Sequence, residues 1–395
     1  MSTKGLAWQE RPAPAAQQPD TEFEAPASIP FKDWIIGVLG FLAVIGVTAG
    51  IGRLFMGLQA STALSDDVSW GIWIGFDFGL IAFAGAGFTM AAVVHVFHLH
   101  QFHGALRPAL LTGLMGYVGV LALLVLDLGR WDRFYHFMLY YNLHSPLFEI
   151  CWCVLLYTTV LVIEVSPDFL RFLPWKWPMK TAAAIITPVS IIGVTLSTLH
   201  QSTLGTMYLN MPHRLHPLWY TPLLPVLFYV SSVMAGLSLG ILSYKAACKL
   251  RGTAENGRIA SGLGQGLFWV AVVYAALKLG ELTWANEWAL LLDGSYGLFW
   301  LVEVVVGVLL PIVLLARRSW RQNAKVQLAA PLLVLAGVLL NRFNATLFGQ
   351  VLPPGASAYT PHILEWVSTV GILAAAALAW IGCARWIVRD EEHAH

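Results

Sequence analysis

Residues 70–98 read WGIWIGFDFGLIAFAGAGFTMAAVVHVFH, and between Gly71 and Val94 Asp77 is the only ionisable side chain. About 20 apolar residues, rising 1.5 Å each in a helix, cross about 30 Å of hydrocarbon. The stretch therefore predicts a spanning helix over 71–98 with one acid inside it. Runs of the same kind recur near 34–57, 107–128, 146–166, 180–201, 219–244, 263–287, 297–316, 326–348 and 362–387. None alternates as a strand would, and in lipid a backbone must satisfy its own hydrogen bonds. The expected fold is an all-α integral membrane protein of about ten transmembrane helices.

Composition agrees. The chain has 395 residues, 57% hydrophobic and 11% charged, whereas soluble domains average about a quarter charged. Lys and Arg number 23 against 22 Asp and Glu, a balance that suggests no nucleic-acid partner and no polyanionic substrate. Cys151, Cys153, Cys248 and Cys383 form no C-x-x-C pair, so neither an iron–sulfur cluster nor a metal site is expected in this chain. Residues 1–30 carry Pro12, Pro14, Pro19, Pro26 and Pro30, a disordered lead-in. Residues 31–390 then form one transmembrane domain.

Orientation follows from the bias of Lys and Arg toward the cytoplasmic side. With the N-terminus inside, seventeen of the 23 fall on the cytoplasmic side, four fall outside, and Lys278 and Arg342 lie within helices. Both termini, and the lead-in with them, are expected in the cytoplasm.

Ionisable groups inside a membrane are costly and usually face a cavity or a partner. Asp77 lies about 10 Å inside helix two. Asp127 ends helix three on the same outer side, Glu149 begins helix four there after His144-Ser145-Pro146, and His200 closes helix five with Gln201 next to it. In the second half Lys278, Glu281, Glu303, Arg342 and Glu365 favour the same leaflet. The plain structural reading is a set of interfacial acids and buried ion pairs, with Arg342 bound to Glu281 or Glu303. The functional reading is a polar pocket beneath the outer surface, suited to a lipophilic molecule with a proton-accepting head. A quinone, menaquinone or ubiquinone, has that chemistry: a carboxylate and an imidazole orient its carbonyls and relay protons. Trp70, Trp73 and Phe76 are candidates to stack on its ring. No b-type haem is expected, because His95, His98, His100 and His103 lie at the opposite end from His200 and no two helices offer a matched pair. The loops Trp131–His144 and Met207–Trp219 are rich in aromatics, as a docking surface or a segment lying on the bilayer would be.

Seven strings together carry a resemblance: WGIWIGFD at 70–77, DLGR at 127–130, SPLFE at 145–149, HQSTLG at 200–205, HPLW at 216–219, Gly280-Glu281 and FWLVE at 299–303. In that order the chain resembles the NrfD-like, or polysulfide-reductase membrane-subunit, family in its ten-helix hydrogenase-2 branch. The resemblance implies an inner-membrane subunit without haem or iron–sulfur cluster of its own. It implies electron exchange between quinone and a periplasmic ferredoxin-like iron–sulfur subunit, which connects to catalytic subunits. It implies two four-helix bundles with flanking helices. Helices two to five (70–201) would hold the quinone, with Asp77, Asp127, Glu149 and His200 at the motif positions and Trp73, His144 and Gln201 beside them. Helices six to nine (219–348) would carry a proton route through Lys278, Glu281, Glu303 and Arg342, with Glu365 from helix ten. A hydrogenase-type donor is the first expectation; sulfite-reduction-associated, polysulfide and multihaem-cytochrome complexes are alternatives. A proton channel or transporter and a passive anchor stand as readings of a different class.

Overall fold

The computed structural model describes residues 33–170, 176–356 and 359–386; the proline-rich lead-in, 1–30, lies outside them. Ten long helices order these residues: α1 (Asp33–Met56), α2 (Ile72–Val96), α3 (His103–Asp127), α4 (Pro146–Leu170), α5 (Lys176–Leu209), α6 (Leu224–Arg251), α7 (Gly257–Trp284), α8 (Gly294–Ala316), α9 (Ala324–Phe348) and α10 (Ile363–Trp386). Nine are long and apolar enough, among the described residues, to cross a membrane. The tenth, α5, is 34 residues long and lies along α4. Extended pairing among the described residues is limited to one bridge between Leu215 and Gln350.

Observed ends differ from the apolar runs where backbone geometry overrides composition. Helix α6 starts at Leu224 rather than 219, after a segment holding Pro217 and Pro222, and continues to Arg251 rather than 244. Its stop is Gly252, which takes a left-handed conformation at φ 69 and caps the last carbonyls. The apolar run marks where lipid ends; the helix ends where a residue can break it.

Helix α2 packs on α3, and α4 on α5; α6 packs on α7 and α9, with α8 against both of those. Helix α6 also touches α2, α3 and α5, and so joins the two groups. Helices α1 and α10 pair and lie against α3. Their closest approach sets Gly46 against Gly371, where any side chain on either would strike the other backbone. Gly307 of α8 and Gly337 of α9 meet in the same way. Lipid gives helices no hydrophobic reason to associate, so close backbone packing at small residues has to supply the attraction.

The outer face is apolar, with Phe41, Val44, Val162, Ile192, Val226, Trp269 and Leu332 exposed. Asp77, Glu164, His200, Lys278, Glu303, Arg342 and Glu365 are buried. Such an arrangement suits hydrocarbon outside and a polar interior. Two helices widen by a π-turn where the polar interior is densest: Val305–Leu309 follows Glu303, and Asn344–Phe348 follows Arg342. The extra residue in such a turn redirects the side chains around it.

Candidate functional site

Most of the buried polar groups fall into two sets that differ in how fully they are bonded. The first lies among α2 to α5. Asp77 sits one turn from Trp73 on α2 and one turn from Ile81, whose carbonyl accepts the Gln201 Nε2 amide at 2.9 Å. That bond seats the end of α5 against α2 and brings His200 into the interior, with no part of it exposed. Tyr117 of α3 is within electrostatic reach of Asp77 and holds its ring 6.3 Å from that of His200. Glu149 stands half-buried at the start of α4 and accepts the Thr203 hydroxyl at 2.8 Å.

Most of these groups lack partners. Asp77 Oδ1, the Tyr117 hydroxyl, both ring nitrogens of His200, Gln201 Oε1 and the Tyr208 hydroxyl are buried without a hydrogen bond among the described residues. Leaving a buried donor or acceptor unmet costs about 1–3 kcal/mol. Natural interiors seldom tolerate several such groups together unless water or a ligand meets them. The set offers donors, from tyrosine and imidazole, and acceptors, from carboxylate and amide. It therefore fits the carbonyl or hydroxyl groups of a quinone head.

Other expected members of that pocket are turned elsewhere. The Trp73 indole donates to Ser368 of α10 at 3.1 Å, and its ring lies under Arg53 at 5.7 Å, so it packs between α1, α2 and α10. Phe76 meets Phe343 and Trp366 on α9 and α10. Of the three aromatics, Trp70 alone faces the α2–α5 side, 6.0 Å from Tyr208. His144 is exposed in the loop before α4. Asp127 keeps one buried oxygen unpartnered close to Arg53, whose guanidinium donates to the Leu128 carbonyl at 2.9 Å. Arg53, one of the four basic residues that the charge bias puts on the outer side, is 1% exposed and ties α1 to the end of α3.

Beside Glu149 an apolar groove of about 380 Å³ opens on the bundle surface, lined by Met138, Tyr141, Leu143, Phe148, Trp152 and Leu156. It lies between the start of α4 and the aromatic loop before it. Farther along that loop Arg130 holds the Asp132 carboxyl down at about 2 through a hydrogen-bonded pair at 2.7 Å.

The second set, among α6 to α9, is more densely bonded, with Arg342 Nε and Asn344 Oδ1 left unpartnered among the described residues. Glu303 accepts the Trp219 indole at 2.9 Å and the Asn341 and Asn344 amides at 2.9 and 2.8 Å, with Lys278 Nζ 3.3 Å away. Arg342 was expected to pair with Glu281 or Glu303. Its guanidinium instead donates to Asn341 at 2.6 Å, Ser231 at 2.9 Å and the Phe228 carbonyl at 3.0 Å, and lies over the Phe228 ring at 3.7 Å. Asn341 links it to Glu303, because a primary amide donates on one side and accepts on the other. The cavity beside Glu303 measures about 10 Å³ and is lined by Tyr274, Gly307, Gly337 and Asn341. It has room for about one water. Glu281 is half-buried and sits beside Thr221 at the mouth.

Glu365 belongs to neither set. Its carboxylate accepts the Tyr359 hydroxyl at 2.6 Å and the backbone N–H groups of His362 at 2.8 Å and Ala63 at 3.1 Å. Tyr359 in turn accepts the Ile72 amide at 2.9 Å. This cluster clips the loops that precede α2 and α10. Burial, and then the bond to Glu365, push the Tyr359 hydroxyl above its ordinary range.

Tyr157, Ser190, Ser197 and Tyr208 in the first set, and Asn341 and Asn344 in the second, were not singled out by sequence. Their signal was spacing: Tyr157 lies seven residues from Glu164, and Ser190 seven from Ser197, so each pair shares a helix face.

Comparison with known proteins gives the geometry its relatives. The family model described as polysulphide reductase, NrfD, matches residues 60–354. A Nitratidesulfovibrio vulgaris protein is 36% identical over 339 residues, covering 83% of this chain and 87% of its own. The "Probable Ni/Fe-hydrogenase 2 b-type cytochrome subunit" of Escherichia coli K12 is 28% identical over 354 residues, 87% and 89% of the two chains. The "Menaquinone reductase, integral membrane subunit" of Nitratidesulfovibrio vulgaris is 27% identical over 379 residues, 88% and 89%. Since the NrfD model spans well over half of the sequence, this multi-pass membrane chain belongs to the NrfD family.

Proposed function

We propose that this chain is the quinone-reactive membrane subunit of a respiratory oxidoreductase complex in the bacterial cytoplasmic membrane, with both termini inside. One observation carries the reading: among the described residues His200 is fully buried with both ring nitrogens unpartnered, its ring 6.3 Å from that of Tyr117, whose hydroxyl is also unpartnered and which lies within electrostatic reach of Asp77. Family membership supports it, as do relatives whose names specify a menaquinone reductase and a hydrogenase. A hydrogenase-type iron–sulfur partner on the periplasmic face is the preferred electron donor.

When bound, quinone accepts two electrons and two protons. With quinone bound, His200 and Tyr117 would donate hydrogen bonds to the head, Asp77 would supply a proton, and Gln201 Oε1 would accept from a hydroxyl. The groove beside Glu149 suits the isoprenoid tail, since its lining is apolar and it opens toward lipid. Lys278, Glu303 and Arg342 serve this reading as a lock. Every oxygen of Glu303 is already engaged, which supports holding α6 to α9 together over passing a proton.

Asp77→Asn and His200→Ala, each in the assembled complex, are expected to abolish quinone-linked turnover and to leave reduction of an artificial dye by the partner unchanged. Normal quinone turnover in both variants would remove the site assignment.

A further inference from the structure

The loop that joins α8 to α9 takes no part in the quinone reading. Residues 317–325 read RRSWRQNAK, with Arg317, Arg318, Arg321 and Lys325, and no Asp or Glu occurs anywhere between Glu303 and Glu365. The loop lies at the end of α8 opposite Asp293, which precedes that helix.

These cations are used in two ways. The Arg321 guanidinium is turned back on its own chain, donating to the Leu315 and Ala316 carbonyls at 2.6 and 3.1 Å and so closing the end of α8. Gln327 of α9 donates to the Arg321 carbonyl at 2.8 Å, and Lys245 of α6 donates to Gln327 Oε1 at 3.3 Å. Those bonds hold the backbone of the loop from within. Arg317, Arg318 and Lys325, by contrast, are exposed, and none has a carboxylate partner among the described residues. Glu255, just before α7 at the same end, is taken by Lys245.

Arg317 lies over the Trp320 ring at 5.1 Å. Stacking holds a guanidinium by its face and leaves the N–H donors at its edge for another partner. Trp320 is itself exposed, and an indole favours the depth of the lipid headgroups. Beside the loop, Leu310 and Val313 of α8 and Leu328 and Leu332 of α9 are exposed as well. An unneutralised cationic loop thus caps an apolar wall that suits hydrocarbon. Orientation in the membrane accounts for an excess of Lys and Arg at one end. It does not require a loop fastened from within, three unpaired outer cations, or one of them stacked on an aromatic ring above that wall.

We infer that the α8–α9 loop binds the headgroup of an anionic phospholipid, at a site independent of the quinone pocket. The phosphate diester takes charge and hydrogen bonds from Arg317, Arg318 and Lys325, and the acyl chains lie along the exposed wall of α8 and α9. A zwitterionic lipid binds less well, because its own amine offsets the phosphate charge.

The test mixes the purified full chain, in mild detergent, with equal amounts of phosphatidylglycerol and phosphatidylethanolamine of the same acyl chains, and counts retained lipid by native mass spectrometry. The wild type is expected to prefer phosphatidylglycerol about tenfold, less as salt is raised. Replacing Arg317, Arg318 and Lys325 together by Gln should remove that preference, and Arg318→Gln alone should reduce it about twofold. Arg317→Lys with Arg318→Lys, which keeps the charge, should retain most of it, and Arg133→Gln in the loop before α4 should leave it unchanged. Equal retention of the two lipids by the wild type, or an undiminished preference in the Gln variants, overturns the site. Displacement of the lipid by equimolar inorganic phosphate would assign the loop to the free anion and overturn the lipid reading. None of these outcomes bears on the pocket around His200.

Discussion

The Thr203 hydroxyl donates to Glu149 Oε1 at 2.8 Å, tying the last turns of α5 to the first turn of α4 at the mouth of the polar interior. The Leu199 carbonyl lies 2.9 Å from the same hydroxyl, so its single proton is shared between α5's own backbone and Glu149. Thr203→Val keeps the shape and removes the donor. The variant is expected to lose about 1 kcal/mol of stability and to bind a quinone analogue several-fold more weakly. Thermal unfolding in detergent and a binding titration check both effects.

Lys278 and Glu303 are both buried, 3.3 Å apart, with three further donors on the glutamate. Removing one partner of a buried pair costs about 3–5 kcal/mol, because the other charge stays behind. Lys278→Met and Glu303→Gln should each lower the unfolding temperature sharply. The double variant should lose less than the two singles combined, since groups in contact do not act additively. A double-mutant cycle by thermal unfolding measures that coupling, and strict additivity would show that the two do not interact.

Gly371→Leu places a side chain where Gly46 now lies. The α1–α10 pair is expected to separate, and with it the bond from Trp73 to Ser368. Shortened half-life in detergent, with Gly382→Leu as a control in open space, reports the loss. Equal half-lives would mean that the pair is not held by this approach.

How much of this was legible beforehand depends on what each residue type signals alone. Helix number and the depth of Asp77, Glu149 and His200 follow from apolar run lengths, which the bilayer fixes. Direction around a helix is less visible: Trp73 and Asp77 are one turn apart, yet the indole bonds α10 while Asp77 lies within electrostatic reach of Tyr117 on α3. Arg342 shows a second limit. A cation suggests an anionic partner, but a serine, a backbone carbonyl, an asparagine and an aromatic face are what this one meets. Tyr157 and Ser197 were hidden because hydroxyls are common in such helices. Only the packing of α4 on α5 and α3 distinguishes them from bystanders.

The central claim is that the unpartnered groups around His200 form a quinone site. Its most direct measurement is binding of a fluorescent hydroxyquinoline N-oxide to the purified full chain in mild detergent, competed with menaquinone. Saturable, competable binding is predicted, weakened at least tenfold in Asp77→Asn and in His200→Ala but unchanged in Lys245→Met on the far side of the bundle. No competable binding, or equal affinity in all four proteins, would contradict it.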